Sequence, residues 1–216
     1  MKYLLGIDFG GGASKATLID EKGNIIAENT VEYPTLYPEN GACEQNPQDW
    51  INALCENSKA LLSKSGINAC DILAIALDSA THTSLVCDKD FKPLHNAMHW
   101  TDTRSRKEAD ALRESEGEEI FKKTFHKPDT IWTLPQLIWL KSNKPEIFEK
   151  TAYIFFEKDY VRYFLTNTYC TDHIEAQGSM FYDCVNGCWD RKLCEMAGIT
   201  VDMLPPLKNP TDIIGK

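Results

Sequence analysis

Residues 4–20 read Leu-Leu-Gly-Ile-Asp-Phe-Gly-Gly-Gly-Ala-Ser-Lys-Ala-Thr-Leu-Ile-Asp. Apolar residues lead into and out of a run of three glycines, a pattern that predicts a β-strand, a tight turn and a second strand. Turn residues without side chains let another molecule approach the backbone closely. The stretch therefore predicts a β-hairpin whose turn is suited to binding a ligand.

The residues in and beside this turn indicate what the ligand would be. Gly10, Gly11 and Gly12 can take positive φ angles, so that backbone N–H groups converge on an anion, and Lys15 could add a positive charge. Asp8, at the end of the first strand, is placed to hold a divalent cation through water. A hairpin of this kind suits the phosphates of a nucleotide together with its metal ion.

Other glycine-rich motifs fit this stretch less well. The pattern Gly-x-x-x-x-Gly-Lys-Ser/Thr is absent, so the turn is not a P-loop. The glycines precede a strand rather than a helix and do not follow Gly-x-Gly-x-x-Gly, which argues against a dinucleotide-binding fold. A hairpin that merely reverses the chain is the remaining alternative.

The composition is that of an acidic globular protein. With 216 residues, 43% of them hydrophobic, the chain can bury the core of one large domain or two small ones. The net charge of −9 and the lack of a Lys/Arg run argue against nucleic acid and anionic membrane as partners. No stretch approaches the ~20 apolar residues of a membrane span. Because Asp8 interrupts the short N-terminal apolar run, no signal peptide is predicted, and a cytoplasmic location is expected.

Eight cysteines are scattered along the chain without a Cys-x-x-Cys pair. In a cytoplasmic protein of this size, we expect reduced, buried thiols. Cys184, Cys188 and Cys194 also suggest a metal site, but no histidine lies at ligand spacing. The metal site is therefore the less favoured alternative.

The hydrophobic pattern after the hairpin predicts a third strand and then a helix. The strand is expected over residues 25–31, after a turn. Apolar residues at helical spacing predict a helix that begins at Asn46 or Pro47 and ends at Gly66.

Further along, the continuous apolar run 72–77 predicts a strand covered on both faces, and a shorter strand is expected over 84–87. A charged surface helix over 102–112 would begin at Thr101 or Asp102 as N-cap. Three strands, a helix and another strand, in that order, predict an α/β fold with a mixed sheet and helices on its faces.

Two clusters of polar residues could carry chemistry. The first combines Thr81-His82-Thr83 with the segment 100–104, Trp-Thr-Asp-Thr-Arg. It suits a polyol, because hydroxyl groups need fixed donors and acceptors and a sugar can rest on an indole face. The alternatives are a buried His82 bonded to backbone, a core Trp100, and a salt bridge between Asp102 and Arg104 at a helix end.

The second cluster is residues 171–179, Thr-Asp-His-Ile-Glu-Ala-Gln-Gly-Ser. His173 and Glu175 could act as a general-base pair. A capped turn before a helix is the favoured interpretation.

Taken together, these motifs resemble the N-terminal domain of the FGGY family of carbohydrate kinases, and especially its xylulokinase-like members. The resemblance extends along nearly all of the 216 residues. It rests on the order and spacing of Gly6-Ile-Asp-Phe-Gly10 with Lys15, Glu44-Gln-Asn-Pro47 with Trp50, Ala74-Ile-Ala-Leu77, Trp100-Thr-Asp-Thr-Arg104, Lys158-Asp-Tyr160, Leu165-Thr-Asn-Thr168 and Thr171-Asp172.

The resemblance implies an actin-like ATPase fold with a ribonuclease-H-like mixed sheet. It also implies ATP-dependent phosphorylation of a ketose or polyol hydroxyl, with Mg²⁺ held near Asp8, the catalytic residue and metal ligand. The residues implied to contact ATP are Gly10, Gly11, Gly12, Ala13, Ser14 and Lys15, and those implied to contact the sugar are Thr81, His82, Trp100, Asp102 and Arg104.

The resemblance further implies that residues 1–216 are an N-terminal domain and that the C-terminal domain, which shares ATP binding, is absent from this chain. The chain alone would then be inactive, and the parent enzyme could be a homodimer. Gly11 stands where the family usually has threonine, and Ala80-Thr-His-Thr83 replaces Gln-Met-His-Gly. A sugar- or nucleotide-responsive binding module without turnover is therefore the alternative function.

Overall fold

The computed structural model describes residues 2–215, so Met1 and Lys216, the ends of the predicted domain, lie outside the described residues. The strands are β1 (Tyr3–Phe9), β2 (Ala13–Asp20), β3 (Ile25–Glu32), β4 (Glu44–Gln45), β5 (Ile72–Ser79), β6 (Ser84–Cys87), β7 (Ala97–Met98), β8 (Tyr153–Phe156), β9 (Thr171–Asp172), β10 (Tyr182–Asp183), β11 (Cys188–Trp189) and β12 (Leu207–Lys208). The α-helices are α1 (Pro47–Ser65), α2 (Arg106–Ser115), α3 (Gly117–Thr124), α4 (Thr133–Asn143), α5 (Pro145–Phe148), α6 (Glu157–Thr166), α7 (His173–Gly178) and α8 (Arg191–Ala197).

The chain divides into two compact units. Unit 1 comprises Met1–Thr35 and Asn46–Ala80, and unit 2 comprises Leu36–Gln45 and Thr81–Lys216. Between residues 2 and 215, no helix is both long enough and apolar enough to cross a membrane.

Unit 1 is a four-stranded mixed sheet in the order β3-β2-β1-β5. β1, β2 and β3 pair antiparallel, whereas β5 lies parallel to β1. The register places Phe9 opposite Ser14 at the end of the first hairpin. The predicted hairpin, third strand and mixed sheet are therefore confirmed.

Helix α1 packs against β2 and β3 and begins and ends as predicted. The side chain of Asn46 accepts a hydrogen bond from the start of the helix, and Pro47 occupies its first position. Gly66 ends the helix in a left-handed conformation with φ 67°. Trp50 and Leu54 are buried on the sheet side, and each such side chain contributes about 2 kcal/mol by leaving water.

Strand β5 differs from its prediction. Its apolar run was expected to be covered on both faces, but Leu73 is 59% exposed and Ile75 is 49% exposed. β5 is the last strand of the sheet, and among the described residues it pairs with β1 alone. The prediction was wrong because a continuous apolar run does not distinguish a central strand from an edge strand.

Unit 2 has a second four-stranded sheet, in the order β4-β7-β6-β8, and two short strand pairs, β10–β11 and β9–β12. β6 confirms the strand predicted over 84–87. Helices α2 and α8 both contact α4 around the core of this unit. Its fully buried members include Ile120, Leu134, Leu137, Leu140, Ile154, Phe181, Leu193 and Cys194.

Helix α2 begins later than predicted, at Arg106 rather than after Thr101 or Asp102. The carboxylate of Asp102 accepts a hydrogen bond from Cys43 N at 2.8 Å and pairs with Arg104. Because Asp102 is engaged there, it does not cap the helix. The predicted N-cap was therefore wrong, and the start of the helix is set by a long-range contact.

The eight cysteines are free thiols, of which Cys43, Cys87, Cys170 and Cys194 are buried. Burial raises the pKa of the Cys194 thiol to about 12. Such a thiol stays protonated and unreactive at neutral pH.

Candidate functional site

The glycine turn of unit 1 is held by its carbonyl groups. Gly10 N donates to Ala13 O at 2.9 Å, which closes the turn between β1 and β2. Tyr33 Oη donates to Gly10 O at 2.7 Å, and Tyr33 N donates to Gly12 O at 3.1 Å. The hydroxyl of Thr35 donates to Gly11 O. The carbonyl side of the turn is thereby engaged by the protein itself.

The three glycines of the turn are not left-handed. In the part of the chain that the structure describes, the glycines with positive φ are Gly23, Gly41, Gly66, Gly187 and Gly198. The expected positive φ angles at Gly10, Gly11 and Gly12 were therefore wrong. A Cβ added at Gly12 would meet no atom within 4 Å. Glycine leaves open space over this backbone, which the close approach of another molecule requires.

Asp8, Lys15 and Asp78 are neighbours on one exposed face of the sheet. The register places Asp8 opposite Lys15 on β2 and beside Asp78 on β5. Partial desolvation by the surrounding strands, and then the charge of Asp78, raise the pKa of Asp8. Lys15 Nζ lies 3.4 Å from Glu28 Oε1. A cation bound beside Asp8 would relieve the repulsion between the two aspartates.

Ser14, one of the residues predicted to contact ATP, has its side chain on the opposite face of the sheet. It is fully buried, and Asn57 Nδ2 of helix α1 donates to Ser14 Oγ at 3.1 Å and to Ser14 O at 3.2 Å. Asn57 Oδ1 in turn accepts from Asn29 Nδ2 at 2.9 Å. Ser14 therefore ties the hairpin to α1, and a ligand at the turn could meet only its backbone.

In unit 2, His82 is a buried imidazole two residues before β6. It is 8% exposed, and among the described residues neither ring nitrogen has a hydrogen-bond partner. Burial, followed by the charges of His126 and His99, lowers the pKa of His82 to about 4. The ring is therefore neutral at pH 7 and offers one donor and one acceptor.

The neighbours of His82 were not indicated by the sequence. The ring centroid of Trp132 lies 5.0 Å from that of His82, and His126 stacks on Trp132 with a centroid distance of 4.2 Å. Gly178 lies against the imidazole, where an added Cβ would be 2.6 Å from His82 Nδ1. Since that separation is shorter than any normal contact, only glycine fits beside this ring.

Gln136 forms hydrogen bonds with residues that are next to both parts of the predicted polyol cluster in the sequence. It is fully buried, and its Oε1 accepts from Ser84 Oγ at 3.0 Å. Its Nε2 donates to His99 O at 3.2 Å and to Thr130 O at 3.3 Å. These bonds fix the segment that carries Trp100, whose indole is 43% exposed and accessible to a ligand.

Asp102 and Arg104 form the salt bridge that was the alternative to sugar binding. Arg104 Nη2 lies 2.8 Å from Asp102 Oδ2 and 2.8 Å from Glu44 Oε1, and Nη1 lies 3.0 Å from Glu39 Oε1. The guanidinium also lies 4.3 Å from the centre of the Trp139 ring. Both charged groups are engaged by the protein, so their contact with a sugar stays a prediction.

Residues 171–179 form the capped helix start that was favoured from the sequence. The carboxylate of Asp172 accepts from two amides of α7 at 2.9 and 3.0 Å. His173 Nδ1 lies 2.8 Å from Tyr182 Oη, whereas Glu175 Oε2 accepts from Lys158 Nζ at 2.9 Å. His173 and Glu175 thus contact different groups, which speaks against their action as a general-base pair.

Some residues beside these candidate sites were missed or left without a role. Asp78 directly follows the apolar run 72–77, and this position was the available signal for it. Trp132 and Gln136 lie in a stretch with no distinguishing motif. Lys158 belongs to a motif of the resemblance, but nothing in the sequence connected it with Glu175.

Residues 3–216 match the FGGY family of carbohydrate kinases, N-terminal domain. The chain is 34% identical over 215 residues to a xylulose kinase of Bacillus subtilis (strain 168), covering 100% of the chain and 43% of that protein. It is 30% identical over 218 residues to a glycerol kinase of Thermococcus gammatolerans, covering 99% of the chain and 44% of that protein. A ligand-bound xylulose kinase from Lactobacillus acidophilus superposes with a TM-score of 0.95 at 27% identity, covering 100% of the chain and 44% of its own.

Proposed function

Because this chain belongs to the FGGY family of carbohydrate kinases, we propose that it takes part in transferring the γ-phosphoryl group of ATP to a hydroxyl of a ketose or polyol. The observation that carries the proposal is the family match, which extends over residues 3–216. The chain spans 43% of the length of the Bacillus subtilis xylulose kinase. We therefore assign the complete reaction to a longer polypeptide in which these residues are the N-terminal domain.

Asp8 is suited to hold magnesium. It is an exposed carboxylate beside a second one, Asp78, and Mg²⁺ prefers carboxylate oxygens and water. Residues 2–215 contain no group of three His, Cys, Asp or Glu side chains that could hold a metal by itself. Water and phosphate oxygens would then complete the coordination, and the bound ion would neutralise phosphate charge.

The glycine turn is suited to phosphate. Its carbonyl groups are engaged by Tyr33 and Thr35, so an anion can approach without meeting their negative ends. Lys15 lies beside Asp8 in the register and would add positive charge. Gly11 lacks the hydroxyl of the usual threonine, so backbone groups would make the contacts here.

His82 is suited to a sugar hydroxyl. A hydroxyl group can donate to one molecule and accept from another, and the neutral imidazole supplies both functions. Burial of ring nitrogens without partners is costly, and a bound polyol would supply a partner to Nε2, since Gly178 lies against Nδ1. Trp100, which is 43% exposed, presents indole surface of the kind on which sugars rest. His82 would therefore orient the acceptor hydroxyl.

Binding of D-xylulose and of glycerol to the chain, measured by titration calorimetry, tests the polyol site. We expect His82→Ala to weaken binding at least about tenfold, the effect of losing roughly one or two hydrogen bonds. His173→Asn is the matched control, because His173 already has Tyr182 as its partner. Equal binding by wild type and His82→Ala would contradict the assignment of His82.

Phosphoryl transfer is tested with the longer polypeptide to which the complete reaction is assigned. We expect sugar-dependent ADP release that is lost in Asp8→Ala, and a variant with normal release would contradict the role of Asp8. Sugar binding without ATP-dependent turnover would instead favour the non-catalytic binding module. The cytoplasmic location and the homodimer stay predictions, to be tested by fractionation and by sedimentation.

A further inference from the structure

His82 has a backbone conformation that needs support. Its φ is +50°, in the left-handed region where residues other than glycine are uncommon and cost of order 1 kcal/mol or more. Two side chains hold its peptide groups. His82 N donates to Glu175 Oε1, and Thr133 Oγ1 donates to His82 O at 3.4 Å. The ring itself lies against both Trp132 and Gly178.

The amide contact depends on an unusual carboxylate. Glu175 is fully buried, and its second oxygen accepts from Lys158 Nζ at 2.9 Å. Burial raises the pKa of Glu175 to about 7, although the charge of Lys158 opposes this shift. Burial also disfavours the ammonium form of Lys158, but Asp159, Glu175 and Asp172 outweigh it and raise its pKa. Lys158 therefore stays charged, and its hydrogen bond to Oε2 holds the Glu175 side chain in place.

Glu175 and Lys158 together support one backbone amide, that of His82. A buried carboxylate without a cation is costly, and one with a cation still needs its remaining lone pairs satisfied. Here one oxygen faces Lys158 and the other faces His82 N. The pair is buried within unit 2, so solvent competes little with either bond.

We propose that Glu175 and Lys158 are positioning residues, which hold the His82 backbone in its left-handed conformation and thereby present the imidazole to a bound polyol. The polyol part of this inference rests on the proposed function. The backbone part does not, because it concerns only contacts within the chain. A purely structural ion pair would instead stabilise unit 2 without a specific effect on His82.

Two variants of Glu175 differ in the acceptor that His82 N needs. Glu175→Gln keeps a side-chain oxygen at this place, whereas Glu175→Met has nearly the same volume and no acceptor. In both, Lys158 still has Asp172 at 3.1 Å and Asp159 at 3.9 Å as partners, so folding is expected to survive. Lys123→Met is the control, since it breaks another ion pair of unit 2, with Asp190.

Amide hydrogen exchange of His82, followed by NMR, is the first measurement. In the wild type this amide should be protected, and unprotected exchange would overturn the proposal without any variant. Glu175→Met should lower the protection of the His82 amide at least about tenfold relative to the amides of β6, as expected for the loss of one buried hydrogen bond. Glu175→Gln and Lys123→Met should stay within about threefold of the wild type.

Binding of D-xylulose is the second measurement. The dissociation constant should rise about tenfold in Glu175→Met and less than about threefold in Glu175→Gln. Equal weakening in both variants with unchanged His82 exchange would overturn the proposal. If the wild type binds neither D-xylulose nor glycerol, the proposed function fails, and the exchange data still decide whether Glu175 positions His82.

Discussion

Replacing His82 by asparagine should change how the stability of unit 2 depends on pH. Burial, followed by the charges of His126 and His99, lowers the pKa of His82 from 6.5 to about 4. Asparagine does not titrate, and it tolerates the left-handed conformation that His82 has at φ +50°. The substitution therefore removes one titration and keeps the backbone.

The direction in which the free energy of unfolding changes with pH depends on whether the folded or the unfolded state binds the proton more tightly. As the pH falls through 6.5, the unfolded chain protonates this imidazole, but the folded chain does so only near pH 4. The free energy of unfolding of the wild type therefore decreases in this window as the pH falls, and His82 has no such effect above it. One pH unit corresponds to about 1.4 kcal/mol, so the loss is about 2 kcal/mol at about pH 5 and about 3 kcal/mol at about pH 4.

Urea unfolding at about pH 7.5, 6 and 5, followed through NMR cross-peaks of unit 2, measures this difference. The free energy of unfolding of wild type minus that of His82→Asn should fall by about 2 kcal/mol between the first and last of these conditions. Other groups cancel in the subtraction because both chains contain them. Parallel pH profiles, or a His82 ring proton that titrates near 6.5, would refute the reasoning.

Three further predictions concern buried contacts. Because burial raises the pKa of Glu175 from 4.5 to about 7, its contribution is present below about pH 4.5 and is lost as the pH rises toward 7. The free energy of unfolding of wild type minus that of Glu175→Gln should thus fall over that range in the same urea assay, and a rise would contradict this. Gly178→Ala would place a Cβ 2.6 Å from the imidazole of His82 and should cost about 1–3 kcal/mol and shift the ring resonances. Gly6→Ala, whose Cβ meets nothing within 4 Å, is its control, and an equal cost in both would reject the steric argument. Asn57→Ala removes two buried hydrogen bonds to β2 and should destabilise unit 1 by about 1–3 kcal/mol, so a loss below about 0.5 kcal/mol would be inconsistent with their burial.

Much of unit 1 could be predicted because its signals act between neighbours in the chain. The glycine run lies between two strands that pair directly across it, so the hairpin needs no distant contact. The same holds for α1, whose ends are marked by Asn46 and Gly66 within the helix's own turns. The exposure of β5 was missed, because an apolar run indicates a strand but not how many neighbours it has.

Helix α2 shows where such local signals fail. Thr101 and Asp102 are good N-cap residues by type. Asp102 instead accepts from Cys43 N, a partner 59 positions away in the sequence. This long-range hydrogen bond engages the Asp102 carboxylate, which would otherwise cap the helix. The ion pair between Asp102 and Arg104 further stabilises the carboxylate in this position.

The sequence by itself determined the hairpin with its glycine turn, the candidate residues Asp8 and His82, and the family to which the motifs belong. These features depend on residue types and on short spacings along the chain, which can be read directly from the linear sequence. Only the tertiary structure decided what surrounds His82, since Glu175 lies 93 positions away from it in the sequence. The conformation, neutral charge and unpartnered nitrogens of this imidazole arise from burial and packing, which bring together groups that no local pattern connects.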